Sequence, residues 1–415
     1  MFGNSTKRQY RGSPARATAR RFVAALLLLR AATAFAGEQP SDRPPIEILL
    51  LQMSPGHDLF ARFGHAALAV KRGEREGVYN FGYTERFGDR SLVLDFLRGE
   101  AFFFVAVTRM RGTLAIYRDE GRQVSAYPLR LQRAQAQQLA EALEQANRPE
   151  NRYYVYHHFD DNCATRLRDL INTVLAGQLE EALATRQLKT TYRDHVRRGF
   201  AGQTGILLLA ELLLGRRVDR QLDAYRAMFL PELLTSGLQQ ANLLGSGQIL
   251  LPASAPAPSG DPLAGLKLLW SVATVLSVGC LLQLLFGRAA RRGLAPLRAL
   301  AFLCFGLLAL LLWSLACYTT LPELRFNELV LLFWPTDLLL VGNALRSRAR
   351  RFVARPWSTR YCWLRLASIA LIGCGQLSGL LVQQPRVLLL LAAAAFFAQL
   401  LANLANQPSG SIRPR

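Results

Sequence analysis

Asp160-Asp161-Asn162-Cys163-Ala164-Thr165-Arg166-Leu167-Arg168-Asp169-Leu170 is the stretch on which the reading of this chain turns. Asp and Asn are helix N-cap residues, and Leu167, Leu170, Ile171 and Val174 follow at helical spacing, so the pattern predicts a helix that opens at Cys163. A thiol there sits at the positive end of the helix macrodipole among unpaired backbone N–H groups, which favours the thiolate. Cys163 is therefore the candidate nucleophile.

Upstream of this helix the chain alternates short apolar runs with turn residues. Residues 46–53 form an apolar run suited to a buried strand, and Ser54-Pro55-Gly56 ends it. Strands are expected at 65–70, 78–83, 101–108 and 123–129, with helices at 92–97, 113–118 and 131–146. Downstream, helices are expected at 191–198, 203–214 and 222–243. The run Ile206 to Leu214 is nine residues long with Glu211 inside it, about half the reach needed to cross a bilayer, and reads as a core helix. Together these segments make an α+β domain over residues 37–250, and a Pro-rich stretch at 251–262 reads as a linker.

The apolar excess of this 415-residue, 51% hydrophobic chain lies after the linker. Five apolar segments, at 263–286, 297–318, 328–345, 361–382 and 387–404, predict an all-α bundle of about five transmembrane helices over 263–406, with a cytoplasmic tail at 407–415. The third is the shortest and contains Pro335 and Asp337, a carboxylate that belongs in the bundle interior or a water-filled cavity rather than against lipid. The formal charge of +21 is carried almost entirely by Arg and sits largely beside apolar runs, which selects a membrane over nucleic acid as the partner. Arg residues crowd the first and third loops of this region, at Arg288, Arg291, Arg292 and from Arg346 to Arg360, while the second and fourth carry one each. The positive-inside rule then puts the domain before residue 263 outside the cytoplasm. The basic N-terminus, the apolar run from Phe22 to Leu29 and Ala34-Phe35-Ala36 agree independently, reading as an export signal over 1–36 or, failing cleavage, an anchor.

An exported domain meets an oxidising compartment, yet Cys163 is the one cysteine outside the apolar region; the others are Cys280, Cys304, Cys317, Cys362 and Cys374. Disulfide and multi-cysteine metal readings therefore lose their basis, and what remains is a nucleophile or a buried thiol packed as a small hydrophobe. A thiolate nucleophile needs a base, and the chain has five histidines: His57, His65, His157, His158 and His195. His65 follows Gly64 at the start of a strand, which fixes its ring on a rigid element. The plain alternative is a satisfied structural histidine. His157 and His158 lie too close in sequence to Cys163 to face it easily, unless the loop between them folds back. No phosphate-cradling Gly loop or metal cluster stands out, so no cofactor is implied.

The blocks Ser54-Pro55-Gly56, Phe63-Gly64-His65, Val78-Tyr79-Asn80-Phe81-Gly82, Asn151-Arg152-Tyr153-Tyr154, Asp161-Asn162-Cys163-Ala164-Thr165-Arg166 and Met228-Phe229-Leu230-Pro231 resemble, in order, the periplasmic domain of the Lnb-type lipoprotein N-acyltransferases. The resemblance covers about residues 46–245, and the order of His before Cys is similar to that of permuted papain-like folds such as the NlpC-type hydrolases. It implies a bacterial inner-membrane enzyme with its catalytic domain in the periplasm and Cys163 and His65 as the reacting pair. The implied partners are a phospholipid acyl donor and a lipoprotein acceptor amine, with the acyl chain passing through a Cys thioester. Asn80, on the neighbouring strand, suits the role of orienting the imidazole; its plain reading is a turn-flanking asparagine. Asp161 and Asn162 are otherwise helix caps and Tyr154 a core aromatic. Two rivals stand beside acyl transfer: a lipid or cell-wall peptide hydrolase using the same Cys-His pair, and a non-catalytic membrane scaffold. A transporter is disfavoured by the lack of an internal repeat.

Overall fold

Residues 46–53 alternate so that Leu50 faces one side of a sheet and Leu51 and Met53 the other, all of them buried. In the computed structural model, which describes residues 45–86, 89–349 and 351–406, this run is β1 (Ile46–Met53). It is followed by β2 (His65–Arg72), β3 (Arg75–Tyr83), helix α1 (Arg90–Arg98), β4 (Phe102–Thr108), α2 (Met110–Asp119), β5 (Val124–Pro128), α3 (Arg133–Ala146) and the short β6 (Tyr153–Val155). The expected export signal and the tail lie outside the described residues. All ladders are antiparallel, in the order β6-β4-β3-β2-β1-β5-β9, with β9 (Gln248–Leu251) closing one edge.

Period-two alternation sorts the core onto two faces. Leu50, Ala66, Leu68, Phe81 and Phe103 pack against Leu139 and Leu143 of α3 and against Leu167 and Ile171 of α4 (Cys163–Val174). Leu51, Met53, Ala67, Ala69, Val78 and Val124 pack on the other face with Tyr117 of α2. The domain is completed by α5 (Tyr192–Gly199), α6 (Thr204–Leu213), a two-stranded ribbon of β7 (Gln187–Thr191) and β8 (Gln221–Asp223), and α7 (Pro231–Gln240).

The single helix expected over 222–243 is not formed. Asp223 caps a four-residue turn of helix, and Pro231, which has no N–H to give, starts α7 afresh at its first position. The core helix expected at 206–214 is α6, and it does more than fill a core: Leu208, Leu212 and Leu213 pack on the apolar cluster of the C-terminal region. Its Glu211 is buried and held by Arg197 Nε at 2.6 Å and Arg193 Nη1 at 3.4 Å. The Pro-rich stretch after β9 has no regular structure, and Ser254 and Ala255 donate to Gly121 O.

Three helices in the C-terminal region are long and apolar enough to cross a membrane: α8 (Ala264–Leu285), α9 (Ala295–Tyr318) and, last in the chain, Val387–Leu404. Between them, the expected third segment is broken at Phe333-Trp334-Pro335, and the pieces Pro322–Leu332 and Pro335–Arg346, the latter ending in α10 (Leu339–Arg346), meet at 49°, a bent pair that could count as a fourth span. Next comes α11 (Pro356–Leu377), long enough but interrupted by Arg360 and Arg365; Val387–Leu404 is α12. Asp337 is fully buried, with Arg365 Nε and Nη2 donating to its two oxygens at 2.9 and 3.1 Å, so it faces the bundle interior.

The loops that follow α9 and α11 fold onto the sheet domain. Thr319 Oγ1 donates to Leu97 O at 2.6 Å, Thr320 N to Arg98 O at 2.9 Å, and Gly215 N to Glu323 O at 2.6 Å. Asn327 Nδ2 donates to the carbonyls of Leu212 and Leu213, and Gln383 Nε2 to that of Leu214. These are the two Arg-poor loops, so the side of the membrane derived from charge agrees with the side on which the domain docks.

Candidate active site

Asn162 builds the start of α4. Its Oδ1 accepts from Ala164 N at 2.8 Å and Thr165 N at 3.0 Å, while Asn162 N donates to Thr165 Oγ1 at 2.8 Å. Such a reciprocal cap is worth about 1 kcal/mol. The Asn162 Nδ2 donates to His158 O and, across 67 residues of chain, to Phe229 O at 3.0 Å. The cap thus fixes Cys163 in space and ties the loop before it to the 228–231 segment. Asp161 is bonded to Arg166, with Nη2 donating to Oδ2 at 2.7 Å, and the Arg166 guanidinium stacks over the Tyr154 ring at 4.0 Å.

The thiol meets the sheet where the β2–β3 ladder opens. The β2–β3 pairing runs from Arg72↔Arg75 to Ala67↔Asn80, and two residues beyond lies Gly82, whose φ of +92° turns β3 aside. A Cβ on Gly82 would stand 3.9 Å from Cys163 Cβ and 3.8 Å from Tyr154 Oη, so helix and sheet touch here. The half-buried Cys163 is drawn toward the thiolate by the backbone N–H groups of Ala66, Ala164 and Cys163 itself and by Arg122. Burial outweighs them and pushes the thiol up. The thiolate expected from the helix terminus alone is therefore not the resting form, because desolvation in the closed site opposes it.

His65 adjoins Ala66, whose N–H reaches the sulfur. Its ring bonds to Asn80, the diagonal neighbour on β3: the Asn80 Nδ2 donates to Val78 O and Thr108 Oγ1, both at 3.1 Å, which leaves the side-chain oxygen to accept from the imidazole. The Nε2 atom of His65 is buried and has no hydrogen-bond partner among the described residues, so the bonded ring N–H is Nδ1. Burial and the nearby Arg122 cation hold the His65 pKa at about 4, against the opposing Asn80 bond. At neutral pH it is an uncharged imidazole with a free lone pair, the form a general base requires.

Arg122 is the site residue that sequence reasoning missed. It is buried, its Nε donates to Ser54 O at 2.7 Å and its Nη1 to Glu120 Oε2 at 2.7 Å, and it stacks over Tyr117 at 4.7 Å. Its Nη2 has no partner among the described residues. One Arg in so Arg-rich a chain carries no signal of its own; Ser54-Pro55-Gly56 was the available clue, since a Cβ on Gly56 would lie 3.0 Å from Arg122 Cδ. Tyr154 Oη is likewise buried and unpartnered, and burial together with Cys163 pushes its pKa up.

The other histidines are engaged elsewhere. His157 Nδ1 accepts from Asp160 N at 3.1 Å, and its Nε2 lies 3.2 Å from Glu323 Oε2, at the membrane-side loop. His158 packs edge-on against Phe63 at 4.6 Å and is held at about 4 by burial. His195 is buried beside Phe229, and His57 is exposed in the loop after β1. No group of His, Cys, Asp and Glu able to hold a metal occurs among the described residues.

Residues 40–198 match the family model described as the Lnb N-terminal periplasmic domain. The Lnb-type resemblance is thus shown for the N-terminal part of the chain, which contains Cys163, His65 and Asn80. No curated protein and no solved structure matches the chain.

Proposed function

We propose that this chain, an Lnb-type periplasmic domain fixed to apolar membrane helices, is a thiol acyltransferase that moves a fatty acyl chain from a phospholipid to the N-terminal amine of a lipoprotein. The observation that carries the reading is the neutral His65, with Nδ1 bonded to Asn80 and Nε2 unpartnered, directly beside the residue whose N–H contacts the Cys163 sulfur. In this reading the sheet domain is papain-like in permuted order, and α11 and the bent third segment complete five spans.

Chemistry proceeds in two balanced halves. His65 Nε2 takes the thiol proton as Cys163 Sγ attacks the ester carbonyl carbon of the donor; the C–O bond then breaks, and the same proton goes to the leaving lysophospholipid alkoxide. The acceptor amine next attacks the thioester, His65 removes its proton, and as the C–S bond breaks His65 passes that proton to the departing sulfur, restoring the thiol and the neutral imidazole. The N–H groups of Cys163 and Ala66 are the donors closest to the carbonyl oxygen in both tetrahedral intermediates, since Ala164 N is already bonded to Asn162. Thioesters react more readily with amines than with water, which favours transfer over hydrolysis.

The test is mass spectrometry of the Cys163 peptide after the full-length protein is incubated with phospholipid vesicles. A fatty acyl adduct released by hydroxylamine, present in the parent and absent from Cys163→Ala, is the expected result. His65→Gln should slow its formation about a thousandfold, within the usual range for losing a general base. An unmodified cysteine together with full biological activity in Cys163→Ala would leave only the scaffold reading. Free fatty acid as the sole product, with acceptor amine present, would mean hydrolysis.

A further inference from the structure

Helix α1 carries more apolar surface than the core uses. Of its nine residues, Leu92 is buried in the sheet core and Phe96 packs edge-on against Phe60 at 6.2 Å and lies 6.2 Å from Tyr156. At 100° per residue Val93, Leu97 and Leu94 occupy the next sector of the helix, and Val93 and Leu94 are 44% and 56% exposed. Phe102 and Val155, cross-strand partners on β4 and β6, are also exposed, at 59% and 41%, but alternate with the buried Phe103 and Tyr154 and so belong to the other face of the sheet.

Its position is fixed against the end of a membrane span. Helix α9 ends at Tyr318, and the next two residues are the ones bonded to α1: Thr319 to Leu97 O and Thr320 to Arg98 O. Gly99, in the left-handed region at φ +79°, closes α1, and a Cβ on it would come 2.2 Å from Thr320 Oγ1. Backbone thus meets loop with no room for a side chain. The 24 residues of α9 reach roughly 36 Å, a little more than the hydrocarbon thickness of about 30 Å, so Thr319 sits at the headgroup boundary and α1 with it.

We propose that the Val93, Leu94 and Leu97 face of α1 is immersed in the outer leaflet and is the edge over which donor phospholipid acyl chains enter. The exposed Arg98 at the same end faces the lipid phosphates, as expected of an interfacial amphipathic helix. Phe96 and Tyr156 form the wall between this face and the thiol: they pack together, and Tyr156 lies near enough to Cys163 to feel its charge. Lipid contact stands on the geometry of α1 alone; its use as a substrate route rests on the acyl-transfer reading.

A diazirine amino acid placed at Val93, at Leu94 or, as control, at the exposed Glu141 of α3 tests this in the full-length protein reconstituted in phosphatidylethanolamine–phosphatidylglycerol vesicles. Photolysis should give lipid adducts at positions 93 and 94 about tenfold or more above those at 141. Leu94→Asp should lower acylation of Cys163 by vesicle phospholipid about tenfold or more while leaving its alkylation by iodoacetamide unchanged. Adducts at 94 no more abundant than at 141, or adducts to a second copy of the chain, overturn the proposal. Lipid adducts at 93 and 94 in a protein whose Cys163 is never acylated uphold the surface and refute the transferase instead.

Discussion

Asp337 and Arg298 of the membrane bundle are treated in the opposite way to the polar groups at the candidate site around Cys163. In the bundle Asp337 accepts from Arg365 Nε and Nη2, from Tyr361 Oη at 2.7 Å and from Trp334 N at 3.1 Å. Arg298, equally buried, donates to Gln399 and Gln283 at 3.0 Å, to Ser347 at 2.6 Å and to Arg291 O at 3.0 Å. Around the thiol, by contrast, His65 Nε2, Arg122 Nη2 and Tyr154 Oη all lack a partner among the described residues. Lipid offers no hydrogen bonds, so a bundle must complete its own. An orphaned polar atom in a folded domain costs about 1–3 kcal/mol, and under the acyl-transfer proposal these three are the atoms a bound substrate would satisfy.

The contrast can be broken most forcefully at Asp337. Asp337→Ala leaves the Arg365 cation buried without its carboxylate and should cost about 3–5 kcal/mol of stability in detergent unfolding; a loss under 1 kcal/mol would mean that the bundle is as tolerant as the site. Acid probes the sheet domain. His65 and His158 have folded pKa values of about 4 against 6.5 unfolded, so the unfolded chain binds protons first as pH falls. Their contribution is whole above pH 6.5 and fades toward pH 4, which by pH 5 removes about 2 kcal/mol for each. His65→Gln should recover one share in melts at pH 5 and none at pH 7.5.

Two smaller effects sharpen the comparison. Arg122 lowers the pKa of both the thiol and the imidazole, so Arg122→Met should raise both and move the midpoint of Cys163 alkylation alkaline, whereas Arg122→Lys keeps most of the effect. Tyr154→Phe removes a hydroxyl that bonds nothing among the described residues, and thermal melts should show a change within about 1 kcal/mol of zero, of either sign. A cost of several kcal/mol would mean the hydroxyl is not an orphan.

Segments whose boundaries are local were legible in the sequence. The expected strand 46–53 and the helix opening at Cys163 match β1 and α4, because alternation and a cap residue are written in neighbouring positions. The expected segment 387–404 matches α12 for the same kind of reason. Elements defined by a distant partner were not legible. Three-residue β6 exists because β4 pairs with it, and β9 because β5 does. The long helix expected over 222–243 failed at Pro231, a signal that was present and underweighted. At the site, Cys163, His65 and Asn80 were marked by residue type and by the resemblance, whereas Arg122 becomes visible only when Ser54 O and Tyr117 are brought to it by the fold.

The hydrogen bonds that seat the second and fourth loops on Leu97, Arg98 and Leu212 to Gly215 turn the protein into a depth gauge. Seated by these bonds, the sheet holds the sulfur at one altitude above the lipid. Under the acyl-transfer proposal, whatever reacts there arrives at that height by its own anchor, which selects for molecules that already carry a greasy tail before any pocket has inspected their chemistry.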